Sequence, residues 1–307
     1  MEFGKVKNLR ELDNVCFELP KREDREGKLL DHSQTQELHR PVIYMGCPSW
    51  SNPYFLGKLY PQTCIPKDYL FYYSQQFNTI ELNTTFYRIP DPKTVYQWRT
   101  STPEGFKFCP KVFQQISRFE NLFDIPQLTH RFFSSIEHFE DRLGPSFMQL
   151  PPHFSSQYFP ILRRFLKLIP THIPLSIEFR HPSWFTQNRL IDPAYDLLRK
   201  SNVSAVITDV VGRRDVLHQT LTTQTTLIRF VGNELHTSDF IRIQKWSERL
   251  SSWAKDRVGP FYFFIHQPNE LGYFELIQSF NEFVDDLKIL KLKPLDLSLG
   301  QPQLSLF

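Results

Sequence analysis

Thr79-Ile80-Glu81-Leu82-Asn83 is a β-like run in which the polar Glu81 and Asn83 stand two residues apart. Successive side chains of a β-strand point to opposite faces, so Glu81 and Asn83 share one face and Ile80 and Leu82 the other. A carboxylate on a strand that is otherwise apolar is costly unless it is paired. The neighbouring segments read differently. Residues 67–77 follow Pro66 and place Leu70, Tyr73 and Phe77 on one helical face. Downstream, Asp91-Pro92 is an N-cap followed by a first-turn proline, which opens a second helix. A strand set between two helices is the unit of a parallel α/β fold.

The same unit recurs along the chain. Strand signals stand at 42–46, 79–83, 106–109, 144–150, 175–180, 203–208, 227–231 and 261–265. Helical patterns lie between most of them, including residues 130–141, 190–200, Phe240 to Ala254 and Phe274 to Leu287. Eight strands alternating with helices over residues 41–290 match the size of a single TIM-type (β/α)8 barrel with parallel strands, about 250 residues. The competing arrangement is an open doubly wound sheet, but no GxGxxG follows any strand.

Composition fits this reading. The 307 residues are 40% apolar and 22% charged, with 29 Phe, 23 scattered Pro and 11 Gly, which excludes collagen, low-complexity and disulfide-scaffold classes. The four cysteines, Cys16, Cys47, Cys64 and Cys109, form no CxxC pair and read as thiols of a reducing cytoplasm. No apolar run is long enough to span a bilayer, so no membrane partner is expected. The net charge of +3 is too small to imply nucleic acid by itself. Residues 1–40 contain the mixed charge run Lys21 to Glu26 and read as a charged, solvated leader with one short helix around residues 9–17. Residues 291–307 read as a Leu-rich C-terminal tail.

Parallel strands buried on both faces are almost wholly apolar, and several of these are not. Glu81 and Asn83 end one strand, and Glu178 and Arg180 end another. Lys111, Gln149, Asp209, Arg229 and His266 stand in or just past others. In a barrel these ends converge on one mouth, where active sites are built. The set reads as a pocket for a small polar or phosphorylated ligand, with internal ion pairs such as Glu178 with Arg229 or Arg180 as the structural alternative. Three chemistries are open. Glu81 and Glu178 suit a general acid–base pair. Glu178, Asp209 and His266 suit a divalent metal. Lys111 suits an imine or a phosphate. The catalytic candidates are therefore Glu81, Lys111, Glu178 and Asp209. The loop aromatics Trp50, Tyr87 and Trp184 suit stacking on a sugar-like ring, or packing of the loops.

Longer motifs carry a resemblance. Gly46-Cys47-Pro48-Ser49-Trp50, Phe77 to Tyr87 with Arg88-Ile89-Pro90, Thr102 to Phe108, Leu143-Gly144-Pro145, Gln149-Leu150-Pro151-Pro152 and Glu178 to Trp184 together resemble the YecE-like family (domain of unknown function seventy-two) over about residues 41–285. The resemblance implies a TIM-type barrel and assigns no activity. The chain departs from the family pattern after strand eight, where His266-Gln267-Pro268-Asn269 replaces the common Asn-Asn.

The last five residues, Gln303-Leu304-Ser305-Leu306-Phe307, resemble the bacterial sliding-clamp-binding pentapeptide at all five positions. That resemblance implies Leu304, Leu306 and Phe307 as apolar anchors with Gln303 at the pocket rim, and a second functional class: a DNA-maintenance accessory docked on the clamp.

Overall fold

The computed structural model describes residues 4, 6, 9–21, 41–119, 123–256, 258–268 and 271–287. The candidate clamp-docking residues Gln303, Leu304, Leu306 and Phe307 lie outside the described residues, as does most of the charged leader.

The fold is mixed α/β with parallel strands. In chain order the regular elements are β1 (Ile43–Gly46), α1 (Tyr69–Gln76), β2 (Thr79–Leu82), α2 (Thr84–Tyr87), α3 (Pro92–Thr100), β3 (Lys107–Pro110), α4 (Gln114–Ser117), α5 (Ile125–Ile136), β4 (Ser146–Gln149), α6 (Phe159–Phe165), β5 (Leu175–Glu178), β6 (Phe185–Thr186), β7 (Arg189–Leu190), α7 (Asp192–Lys200), β8 (Ser204–Ala205), β9 (Ile207–Asp209), β10 (Thr226–Val231), α8 (Thr237–Lys255), β11 (Phe261–His266) and α9 (Tyr273–Leu287). Each of the eight strand signals has its strand. The sixth is interrupted at Val206 into β8 and β9. The Asp91 carboxylate caps α3 by accepting from the Thr94 amide at 2.8 Å, and Pro92 opens the helix. The helix expected over 130–141 starts earlier, at Ile125, and gives way to a 3-10 turn at Glu137. An unexpected antiparallel hairpin, β6–β7, turns through Gln187 and Asn188, both with positive φ, the geometry of a tight two-residue hairpin.

The parallel ladders form three arcs, β1-β11-β10-β9, β2-β3 and β4-β5-β8. Individual bonds join the arcs. Between β1 and β2 the Glu81 amide donates to the Cys47 carbonyl at 3.2 Å. The Tyr73 hydroxyl accepts from the Cys47 amide and donates to the Thr79 carbonyl. Asn78 donates to the Ile43 carbonyl and accepts from the Met45 amide. Gly46 has no room for a side chain there, since a Cβ would lie 2.2 Å from the Thr79 carbonyl oxygen. Between β3 and β4 the Val112 amide donates to the Phe147 carbonyl at 2.9 Å.

Alternation along these strands produces two separate apolar clusters. Ile43, Ile80, Phe108, Met148, Ile177, Ile228 and Phe263 pack with the helices. Cys109, Phe147, Val206, Leu227, Tyr262 and Phe264 come from the opposite faces and pack with one another. The second cluster forms the floor on which the polar strand ends stand.

Part of the leader packs on this body. A 3-10 helix spans Leu9–Asn14, and Leu12 is buried. The Gly212 amide donates to the Gly4 carbonyl, Arg214 donates to the Glu18 carbonyl, and Glu18 pairs with Lys245. Leu12 is thus not solvated as expected for the leader. Among the described residues, no helix is long and apolar enough to cross a membrane.

Candidate functional site

The strand ends converge on one buried network. Arg229, in the middle of β10, is its hub. Its Nε and Nη2 donate to the two oxygens of Glu81 at 2.8 and 2.9 Å, and its Nη1 donates to Glu178 Oε2 at 2.6 Å. Glu81 and Glu178 are both completely buried. Glu81 also accepts from Asn83 Nδ2 at 3.0 Å and contacts His266 Nε2 at 2.9 Å. Glu178 also accepts from Arg180 Nε at 2.7 Å and Gln149 Nε2 at 2.8 Å. Lys111 Nζ donates to Gln149 Oε1 at 3.1 Å and lies 4.4 Å from the centre of the Phe86 ring.

The electrostatics follow from these contacts. Burial alone would raise the Glu81 carboxyl, but Arg229 and His266 hold it well below the usual carboxylate range. Glu178 is opposed by burial in the same way, and Arg180, Arg229 and the Gln149 bond bring it down to about 2. Both are therefore anions at neutral pH. Arg229 is raised against burial by the two glutamates. Burial lowers His266, partly offset by Glu81. Burial, followed by the charge of Arg229, pushes the Lys111 amine down to about 8.

A cavity of about 410 Å³ opens over this network. Asn83, Tyr87, Lys111, Gln149, Arg229 and His266 line it, together with Ser49, Asn233 and Gln267, which sequence reasoning missed. These three lie in the segments just beyond β1, β10 and β11. Their signal was position alone: a polar side chain a few residues past a strand end. Glu81, Glu178 and Arg180 sit behind this wall and hold Arg229, Gln149 and Asn83 in place.

The structure sets three other candidates apart from the cavity. Asp209 faces α8, where its carboxylate accepts from Arg214 at 2.5 Å, Arg242 at 3.1 Å and Trp246 Nε1 at 2.7 Å. Trp184 is fully buried, donates its indole N–H to the Phe154 carbonyl at 2.7 Å and packs on Phe154 and Phe179. It is a core residue of the β5–β6 segment. Trp50 packs edge-on against Trp98 at 5.6 Å. Of the three loop aromatics, Tyr87 alone reaches the cavity, and it is 70% exposed. Among the described residues, no three His, Cys, Asp or Glu side chains come together as metal ligands. The expected metal set of Glu178, Asp209 and His266 is divided between two networks.

Comparison with known proteins agrees with this architecture. The chain is 29% identical over 256 residues to UPF0759 protein YecE of Escherichia coli K12, covering 78% of this chain and 91% of that protein. It is 29% identical over 152 residues to UPF0759 protein YunF of Bacillus subtilis 168, covering 47% and 53%. A crystal structure of a DUF72 family protein from Enterococcus faecalis V583 superposes with a TM-score of 0.62 at 20% identity, over 80% of this chain and 96% of that one. A DUF72 family protein from Thermotoga maritima MSB8 gives 0.59 at 22% identity, over 80% and 99%. These two likenesses establish a shared fold. Residues 44–294 match the family model described as "Protein of unknown function DUF72", and the chain belongs to that family.

Proposed function

We propose that the three arcs are parts of one closed eight-stranded (β/α) barrel of the TIM type, and that its mouth binds a small anionic ligand bearing a phosphate or carboxylate. The single bonds across the arc junctions and the two apolar clusters drawn from alternate strand positions support the barrel. One observation carries the ligand class. Among the described residues that line the cavity, Lys111 and Arg229 are cationic and none is acidic. Ser49, Asn83, Gln149, Asn233 and Gln267 add neutral polar groups suited to orienting hydroxyl or phosphate oxygens.

The same geometry argues against Glu81 and Glu178 as an acid–base pair. One guanidinium bridges both, and a carboxylate held that far below neutrality has no proton to donate. Their work is to fix Arg229 and the lining amides.

Thermal unfolding in increasing inorganic phosphate tests the reading. At a phosphate concentration about 100 times the dissociation constant, bound ligand adds roughly 2.7 kcal/mol to stability. The wild type is expected to gain stability with phosphate at pH 7, and Lys111→Met to lose most of the gain. No gain in the wild type, or an equal gain in the variant, would overturn it.

A further inference from the structure

The mouth network has one cation more than its carboxylates neutralise. Glu81 and Glu178 face Arg229 and Arg180, two anions against two guanidinium groups. Lys111 is the surplus. Among the described residues its ammonium makes no ion pair, and its side-chain bond goes to the neutral amide of Gln149. The rings of Phe86 at 4.4 Å and Phe147 at 5.9 Å lie beside it, and of the charges around it Arg229 and Arg180 disfavour the ammonium while Glu81 and Glu178 favour it. Phe147 also faces the Arg229 guanidinium at 5.4 Å. An amine half-buried against aromatic rings, beside a fixed cation and open to a cavity, is the setting in which a lysine sheds its proton and becomes a nucleophile.

The backbone presents this amine rigidly. Lys111 follows β3, and its amide donates to the Leu82 carbonyl. Its carbonyl accepts from Thr85 Oγ1 at 2.7 Å. Gln149 is held in turn by Glu178, so the acceptor that aims Nζ cannot swing away without breaking a charge-assisted bond. Loss of the Lys111 proton leaves the two glutamate–arginine pairs balanced and the fold's own ion pairing unchanged.

We infer that Lys111 is an imine-forming nucleophile, and that the anionic ligand of the mouth carries an aldehyde or ketone. This rests on the anion-binding reading of the same cavity. The neutral Nζ attacks the carbonyl carbon, and the carbonyl π electrons pass to oxygen, which takes up a proton. The nitrogen loses a proton, giving the carbinolamine. The nitrogen lone pair then forms C=N as the hydroxyl takes up a proton and leaves as water, and the nitrogen releases its remaining proton. One carbonyl compound and one amine give one imine and one water, with no change of oxidation state. Arg229 and the side-chain amide of Gln267, whose Nε2 has no partner among the described residues, remain to hold the ligand's phosphate or carboxylate.

Pyridoxal 5′-phosphate, an aldehyde bearing a phosphate, serves as the probe. The full chain is mixed with a small excess, reduced with borohydride to convert any imine to a stable secondary amine, and mapped by peptide mass spectrometry. The Lys111 peptide is expected to be labelled at least about tenfold faster than peptides holding the exposed Lys58 and Lys93. Its rate should level off above pH 8, where an ordinary lysine near 10.4 is still gaining reactivity. Inorganic phosphate should protect Lys111 and not the surface lysines. Labelling of Lys111 at or below the surface rate overturns the inference. If phosphate still stabilises the protein in that case, only the nucleophile falls. If phosphate also has no effect, the anion site falls with it. Lys111→Arg, which keeps the charge, should retain the phosphate response and lose the imine absorbance.

Discussion

Two buried charge networks, one joining the ends of β2, β5 and β10 and the other set between the end of β9 and α8, differ in what they leave over. The outer network joins Asp209 and Asp239 to Arg242 and Arg214, with Trp246 completing the Asp209 shell. Two carboxylates meet two guanidinium groups, and Arg242 is fully buried. The inner network joins Glu81 and Glu178 to Arg229 and Arg180 in the same proportion, then adds Lys111 and His266 and opens to a cavity. Charge alone therefore does not distinguish a structural clamp from a site. A surplus of one sign facing an opening does.

The largest expected effect breaks the inner network at its hub. Arg229→Met leaves Glu81 and Glu178 buried without their shared cation, and removing one partner of a buried pair costs about 3–5 kcal/mol. Urea unfolding at pH 7 is expected to show a loss at least that large, because two carboxylates depend on this guanidinium. A loss below about 1 kcal/mol would mean that the network is not closed around Arg229.

A smaller effect is expected from the outer network. Asp209→Asn keeps the shape and removes the charge facing Arg242 and Arg214, while Asp239 still neutralises part of Arg242. The expected loss is about 2–4 kcal/mol. The stabilisation gained from phosphate should be unchanged once the lower baseline is subtracted. If that gain disappears in a folded variant, Asp209 belongs to the site and the division between the networks fails.

The contrast between Asp209 and Glu81 also marks where the sequence could be read and where it could not. Glu81 and Asn83 stand two apart on a short run, so their shared face follows from alternation. The same holds for Glu178, where Ile177 turns to the helices. Around Asp209 the run Val203 to Thr208 is buried on both faces, and Asp209 falls in step with the apolar Val203, Ala205 and Ile207 rather than with Ser204 and Thr208. Val206 belongs to the inner cluster. Counting from it by twos puts Thr208 inside and Asp209 outside. Trp184 and Trp50 failed for another reason. In loops no period exists to separate a ring that stacks on a ligand from one that packs on its neighbours. The β6–β7 hairpin escaped notice because its strands are only two residues long and its turn, Gln187-Asn188, lacks the glycine that usually marks such turns.

The smallest expected effect separates the networks by pH. Lys111 has its folded-state value pushed down to about 8 from an ordinary 10.5. Between these values the unfolded chain holds a proton that the folded chain has shed, so this group makes stability rise with pH across that window. Below pH 8 both states are protonated and the penalty of burying the ammonium is complete. The expected gain from pH 8 to 10.5 is about 1–3 kcal/mol. Burial raises the thiols of Cys47 and Cys109 and the phenols of Tyr73 and Tyr262, which pull stability the other way above pH 9. Those groups are common to wild type and Lys111→Met and cancel in the difference between them. The difference in unfolding free energy between the two proteins should therefore narrow or widen by that amount over pH 8–10.5, with the wild type gaining relative to the variant. Asp209→Asn should show no such slope against wild type, because it leaves Lys111 and the contacts of its amine in place. Parallel curves for wild type and Lys111→Met would place the Lys111 amine in ordinary solvent and remove the surplus charge on which the distinction between the two networks rests.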